Sequence, residues 1–232
     1  MNISVIVFPG ANCDRDAAYV TRDLLGQPTQ LIWHDNSDLQ NAELVIVPGG
    51  FSYGDYLRCG AIARFSPALQ ATVEHAQRGG LVIGICNGFQ ILTEAGLLPG
   101  ALMRNRDLHF VCDRQPLRVE RTNLIWTQAY ADNAVITLPI AHGEGCYYAD
   151  AETLQSLEDH QQIVFRYSSP HGEVTEAANP NGSLNNIAGI CNRQGNVLGM
   201  MPHPERAADS ILGQTDGLAL FKSVLTHSLQ AA

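Results

Sequence analysis

Charge is scarce in this chain. Charged residues make up 16% of its 232 positions, low for a soluble protein. The basic share is smaller still, 14 Lys and Arg against 23 Asp and Glu, for a formal net charge of −9. No basic run occurs, so a nucleic-acid footprint of Lys and Arg is not expected. Also missing is any apolar run long enough to span a bilayer. The start, MNISVIVFPG, lacks the basic n-region of a signal peptide. Six cysteines are scattered at Cys13, Cys59, Cys86, Cys112, Cys146 and Cys191, without a CxxC pair. That spacing excludes a disulfide scaffold and a zinc ribbon, and no metal site is expected. Free thiols in a reducing cytoplasm are the expectation. There is no repeat, low-complexity tract or long linker. With 45% apolar residues, one domain over 1–232 with one sizeable core is expected.

What is present reads first as alternating strand and helix. Ile3 to Phe8 is a short apolar run ended by Pro9-Gly10, which predicts a buried strand. Asp14, as N-cap, opens a helix through Leu25, closed by Gly26. Gln30 to Trp33 and Leu44 to Val47 predict further strands, the latter cut off by Pro48-Gly49-Gly50. Ser66 to Arg78 predicts a helix with Ser66 as cap and Pro67 in its first turn. Leu81 to Ile85 is the clearest buried strand, and Asn87 to Ala95 a helix stopped by Gly96. This alternation predicts an α/β fold with an open, mostly parallel sheet covered on both faces. The second half is richer in strands, some of them antiparallel: His109 to Cys112, Leu117 to Val119, Ala134 to Leu138 and Ile163 to Tyr167. Ile187 to Cys191 and Val197 to Met200 predict a hairpin, with Gly195 in its loop. Leu218 to Leu229 closes the chain as an amphipathic helix.

Chemistry concentrates in Gly84-Ile-Cys86-Asn-Gly88-Phe-Gln90. A cysteine between two glycines, after a buried strand and before a helix, fits a strained turn. Such a turn thrusts its side chain out at the carboxyl edge of the sheet. Unpaired N–H groups and the dipole at the helix start favour a thiolate there and can hold an oxyanion, with Asn87 N–H the natural donor. The bland alternative is a core cysteine whose glycines only ease packing. A nucleophilic cysteine also needs a base. In Met201-Pro-His-Pro-Glu205 the prolines hold His203 extended, and Glu205, two residues on, can project beside its ring. Nucleophile, base and orienter would then form a triad. Alone, His203 and Glu205 read as a loop histidine beside a surface glutamate. His109, His142 and His171 are weaker rivals for the base. The loop Pro48-Gly-Gly-Phe51 opens on the same edge and can complete the oxyanion hole or be a plain turn. No G-x-G-x-x-G follows the first strand, so no dinucleotide site is expected.

Together, Gly84-Ile-Cys86-Asn-Gly88-Phe-Gln90 and His203-Pro-Glu205 resemble the class I, triad-type glutamine amidotransferases. The resemblance narrows to the small glutaminase subunits of phosphoribosylformylglycinamidine synthase, of purine biosynthesis. It runs nearly end to end, through Pro9-Gly-Ala-Asn-Cys-Asp14, the stretch from Pro48 to Gly60, His142-Gly-Glu-Gly145, Asn179-Pro-Asn-Gly-Ser183 and Met201 to Arg206. Ala11 departs from the serine expected there. The resemblance implies a flavodoxin-like fold, Cys86 as nucleophile, His203 as general acid/base and Glu205 as orienter. It implies an oxyanion hole from Gly50 or Phe51 and Asn87, and Gln90 as a holder of glutamine. It implies a large synthase subunit as partner, with ATP and magnesium on that partner and no cofactor in this chain, and it leaves room for a third small subunit. Two readings compete: a PfpI-like hydrolase of related fold, and a non-catalytic regulatory subunit. The first commonly places His directly after the cysteine, where this chain has Asn87. The second would be expected to lose Cys86, His203 or Glu205, and all three are present.

Overall fold

The structure is a computed structural model and describes residues 1–231, with side chains as far as Thr226. In chain order its elements are β1 (Ile3–Val7), α1 (Asp14–Ala18), β2 (Thr29–Trp33), β3 (Leu44–Val47), α2 (Pro67–Gln77), β4 (Leu81–Ile85) and α3 (Asn87–Glu94). There follow β5 (Ala101–Met103), β6 (Val111–Val119), β7 (Val135–His142), β8 (Cys146–Tyr148), α4 (Ala151–Asp159), β9 (Ile163–Tyr167), β10 (Ile187–Cys191), β11 (Val197–Met200) and α5 (Leu218–Ala231).

Nine strands form one sheet in the order β2-β1-β3-β4-β11-β10-β9-β6-β7, and β5 pairs with β8 apart from it. Pairing is parallel from β2 to β11. From β11 to β7 it is antiparallel. This is the expected α/β class, with antiparallel strands in the second half. Every residue of β3 and all but the first of β4 are buried, because helices cover both faces of a parallel sheet. Parallel order brings the carboxyl ends of β1, β3, β4 and β11 to one edge. The alternation beyond β11 brings the end of β7, at His142, to that same edge.

Some expectations need correction. Cys13, not Asp14, is the cap residue of α1, and its side chain makes no capping bond. The regular helix ends at Ala18, and Tyr19–Leu24 continue as a wider π-turn. The two runs read at 109–112 and 117–119 are one strand, β6, with His109 and Phe110 outside it. Pro116, between those runs, lies inside β6 just before its pairing to β9 begins. β7 runs on to His142 through Pro139, which is tolerated because β7 is an edge strand. β5, β8 and α4 add to the expected elements. α4 nevertheless carries a signal, Asp150, whose Oδ1 accepts from Thr153 N–H at 2.8 Å. The cap at Ser66 is as expected: its Oγ accepts from Leu69 N–H at 3.2 Å.

Candidate active site

β4 delivers Cys86 into a conformation few side chains adopt, φ 52° and ψ −109°. Such a backbone costs about 1–3 kcal/mol and persists only where its surroundings hold it. Here Cys86 N–H donates to Met200 O of β11 at 2.8 Å, and Cys86 O accepts from Phe89 and Gln90 N–H at 2.9 and 3.2 Å. The flanking glycines have a packing cause. A Cβ on Gly84 would stand 2.6 Å from Gly88 O, and one on Gly88 only 1.9 Å from Val47 O. The turn therefore closes only with glycine on both sides.

The remote histidine arrives at the same place. β11 pairs with β4 in parallel, Met200 opposite Ile85, and the chain continues through Met201 and Pro202 to His203. Its N–H donates to Pro139 O of β7 at 2.8 Å. Nδ1 of the ring meets Glu205 Oε1 at 2.6 Å, which leaves Nε2 as the nitrogen for proton transfer. Gly49 shows how close ring and thiol lie. A Cβ there would be 2.9 Å from His203 Cε1 and 3.3 Å from Cys86 Cβ, so the bare glycine lets them share one small space. Burial works against a charged His203 ring, but the Glu205 carboxylate and the neighbouring sulfur of Cys86 outweigh it and raise its pKa well above the ordinary value.

Asn87 opens α3, and its side chain is fully engaged. Oδ1 accepts from Ser52 N–H at 3.0 Å, and Nδ2 donates to Gln90 Oε1 at 2.8 Å and to Asp55 Oδ1 at 3.4 Å. Gln90 in turn donates from Nε2 to Glu144 O at 2.6 Å. Phe51 does not fit the donor role expected of it, because its N–H already donates to Gly10 O at 3.0 Å. Gly50 is left as the candidate in that loop. A Cβ there would lie 2.7 Å from Ala11 Cα.

The thiol itself donates to Ala141 O at 3.7 Å. It opens into a pocket of about 210 Å³ lined by Gly50, Phe51, Gln90, Phe110, His142 and Glu144 among others. Cys86 is thus largely buried, at 6% exposure, but not sealed in the core. Asp55 also lines the pocket. Burial and the Glu144 charge push its carboxyl up.

Residues that sequence reasoning left without a role build the pocket wall. His142, one of the rival bases, is buried, and Nδ1 sits 3.2 Å from Asn105 Oδ1. Burial, aided by His203, pushes its pKa down to about 4. It is a neutral wall residue, not a base. Asn181 Nδ2 donates to Gly145 O at 2.8 Å, and Asn105 Oδ1 accepts from Gly145 N–H at 3.0 Å. The Asn179–Ser183 turn and the His142–Gly145 loop are therefore knitted together, which accounts for both motifs. Cys13 was also missed. Its sulfur lies 3.1 Å from where a Gly49 Cβ would be and accepts from Arg206 Nη2 at 3.1 Å. Its place in the sequence, 190 residues before His203, carried no sign of this.

Residues 1–217 match the family model described as CobB/CobQ-like glutamine amidotransferase domain. The chain belongs to this glutamine amidotransferase family. It is similar to the phosphoribosylformylglycinamidine synthase subunit PurQ of Acaryochloris marina, 70% identical over 231 residues that cover 100% of this chain and 98% of that one. The PurQ of Trichormus variabilis is 70% identical over 225 residues, 97% of each. Among solved structures, that of PurLQS from Thermotoga maritima superimposes with a TM-score of 0.85 at 41% identity, over 97% of this chain and 98% of that one.

Proposed function

We propose that this chain is the glutaminase subunit of a phosphoribosylformylglycinamidine synthase. It hydrolyses glutamine to glutamate and ammonia through a cysteine thioester. The ammonia is passed to a large synthase subunit, which converts formylglycinamide ribonucleotide to its amidine in purine biosynthesis. The observation that carries the reading is the meeting of a strained Cys86, which lines the pocket, with the Glu205-held His203 buried beside it.

Cys86 acts as nucleophile, attacking the side-chain amide carbon of glutamine. The tetrahedral oxyanion is held by backbone N–H groups of Asn87 and Gly50. His203, kept protonated by Glu205, donates from Nε2 to the departing nitrogen, and ammonia leaves. The neutral ring then takes a proton from water, which attacks the glutamyl thioester and releases glutamate and the thiolate. Asp55 and Glu144 make the pocket wall negative, which suits the α-ammonium group of the substrate. Gln90 holds that wall through Glu144 O.

ATP and magnesium act on the synthase subunit, and this chain carries no cofactor. Exposed Phe51 and Phe110, which line the pocket, supply apolar area for docking. The work is cytoplasmic, and among the described residues no helix is long and apolar enough to cross a membrane. The test is Cys86→Ala in the reconstituted complex. Glutamine-dependent synthesis should vanish while ammonia-dependent synthesis persists. Loss of both would sink the role of ammonia donor.

A further inference from the structure

Cys13 takes no part in the chemistry above, yet it is buried against the same ring. Cys13 Sγ, an imidazole nitrogen of His203 and a carboxylate oxygen of Glu205 all lie within 4.8 Å of one another. All three residues are nearly inaccessible, at 2%, 1% and 3% exposure. Two of the polar atoms in this cluster, His203 Nε2 and Glu205 Oε2, are buried and make no hydrogen bond. Catalysis accounts for the first. Nothing in the glutaminase reaction accounts for the second, and a buried carboxylate oxygen without a donor is costly.

We infer that Cys13, His203 and Glu205 form a binding site for a thiophilic divalent cation of the Zn²⁺ type, and that its occupancy shuts off the glutaminase. Sulfur, imidazole nitrogen and carboxylate oxygen are the donors Zn²⁺ selects. Ligand atoms around a tetrahedral ion stand roughly 3.3–3.8 Å apart, given bonds of about 2.0–2.3 Å. A cluster spanning up to 4.8 Å therefore closes on an ion by side-chain movements of about 1 Å. On binding, the Cys13 thiol leaves Asn12 Oδ1, its acceptor at 3.1 Å. The thiol and the His203 imidazolium each give a proton to solvent, the ring exchanging its 2.6 Å contact with Glu205 Oε1 for a shared place on the ion. Arg206 Nη2, already 3.1 Å from that sulfur, then donates to the thiolate, and such donors from beyond the ligands stabilise them. With the His203 ring tied to the ion, proton delivery to the leaving nitrogen stops. The site stands on geometry alone, and only its inhibitory consequence rests on the glutaminase reading.

Binding is read by competition of the full-length chain against a chromophoric zinc chelator, and inhibition by ammonia release in the reconstituted complex at buffered free Zn²⁺. The parent and Cys86→Ala should each bind one equivalent, whereas Cys13→Ala and Cys13→Ser should not. Each variant is read against its own metal-free rate, and Cys13→Ser, which keeps an acceptor for Arg206 Nη2, is the variant closest to the parent. Both Cys13 variants should need roughly 10–100-fold more Zn²⁺ for half-inhibition, at least the loss expected from removing a supporting group at a metal site. EDTA should restore the parent. Failure of the parent to bind, unchanged inhibition in the Cys13 variants, or loss of binding in Cys86→Ala would each overturn the site. A parent that bound Zn²⁺ but released no ammonia in metal-free buffer would instead count against the glutaminase reading.

Discussion

His203 Nδ1 and Glu205 Oε1 stand 2.6 Å apart, with a single proline between their residues. Both side chains are buried, so the carboxylate acts on the ring with little solvent screening. The contact sets which nitrogen faces the thiol and keeps the ring charged.

Replacing Glu205 with Gln should leave the fold intact and remove that charge. Turnover of glutamine should fall roughly 10²–10⁴-fold, the usual share of general acid–base catalysis. Steady-state ammonia release alongside circular dichroism checks both halves. A variant with near-normal turnover would show that the carboxylate is not the orienter.

The same pair makes stability depend on pH. The folded His203 ring holds its proton above the ordinary value of 6.5. Its contribution is therefore complete below about 6.5 and is lost as pH rises through the folded value, by up to about 1.4 kcal/mol per pH unit. His142 has the opposite sign. Its pKa falls from 6.5 to about 4, so its contribution is complete above 6.5 and is lost as pH falls toward 4. Urea-unfolding midpoints measured across pH should give a dome near neutrality. Glu205→Gln should flatten the alkaline limb, and His142→Gln should weaken the acid one.

Gly49 separates three side chains, and a Cβ there would press on His203, Cys13 and Cys86 at 2.9, 3.1 and 3.3 Å. Gly49→Ala should cost about 10²-fold in turnover, because a displacement near 1 Å is enough for that. Stability should change far less than activity, as thermal unfolding will report. A fully active Gly49→Ala enzyme would mean the ring and thiol are less tightly placed than the geometry gives.

The backbone at Cys86 stores strain that a glycine would not feel. Cys86→Gly should be inactive yet roughly 1–2 kcal/mol more stable than Cys86→Ala, which keeps a Cβ at the same positive φ. Comparing these two variants by urea unfolding isolates the strain from loss of the sulfur. Equal stability would place the strain elsewhere.

Local chemistry was legible in the residues. Gly84-Ile-Cys86-Asn-Gly88 announced its turn because only glycine fits beside a closely approaching backbone, and the expected elbow is present with that cause. Strand ends were less legible where proline is present. Pro116 and Pro139 lie inside β6 and β7, beyond the runs 117–119 and 134–138 read as strands, and whether a strand tolerates proline depends on which neighbour pairs where, a property of the sheet.

By itself the sequence determined which segments could be strand, turn or helix, which thiol stands at a helix start, and which histidine is held extended by prolines. These depend on neighbours within a few residues, and that information lies along the chain. Only the folded sheet decided that β11 lies beside β4, that β7 ends at the same edge, and that Cys13 comes against a ring 190 residues away. Such meetings follow from strand order and from burial on both faces, which many different stretches of chain could satisfy equally well when read one at a time.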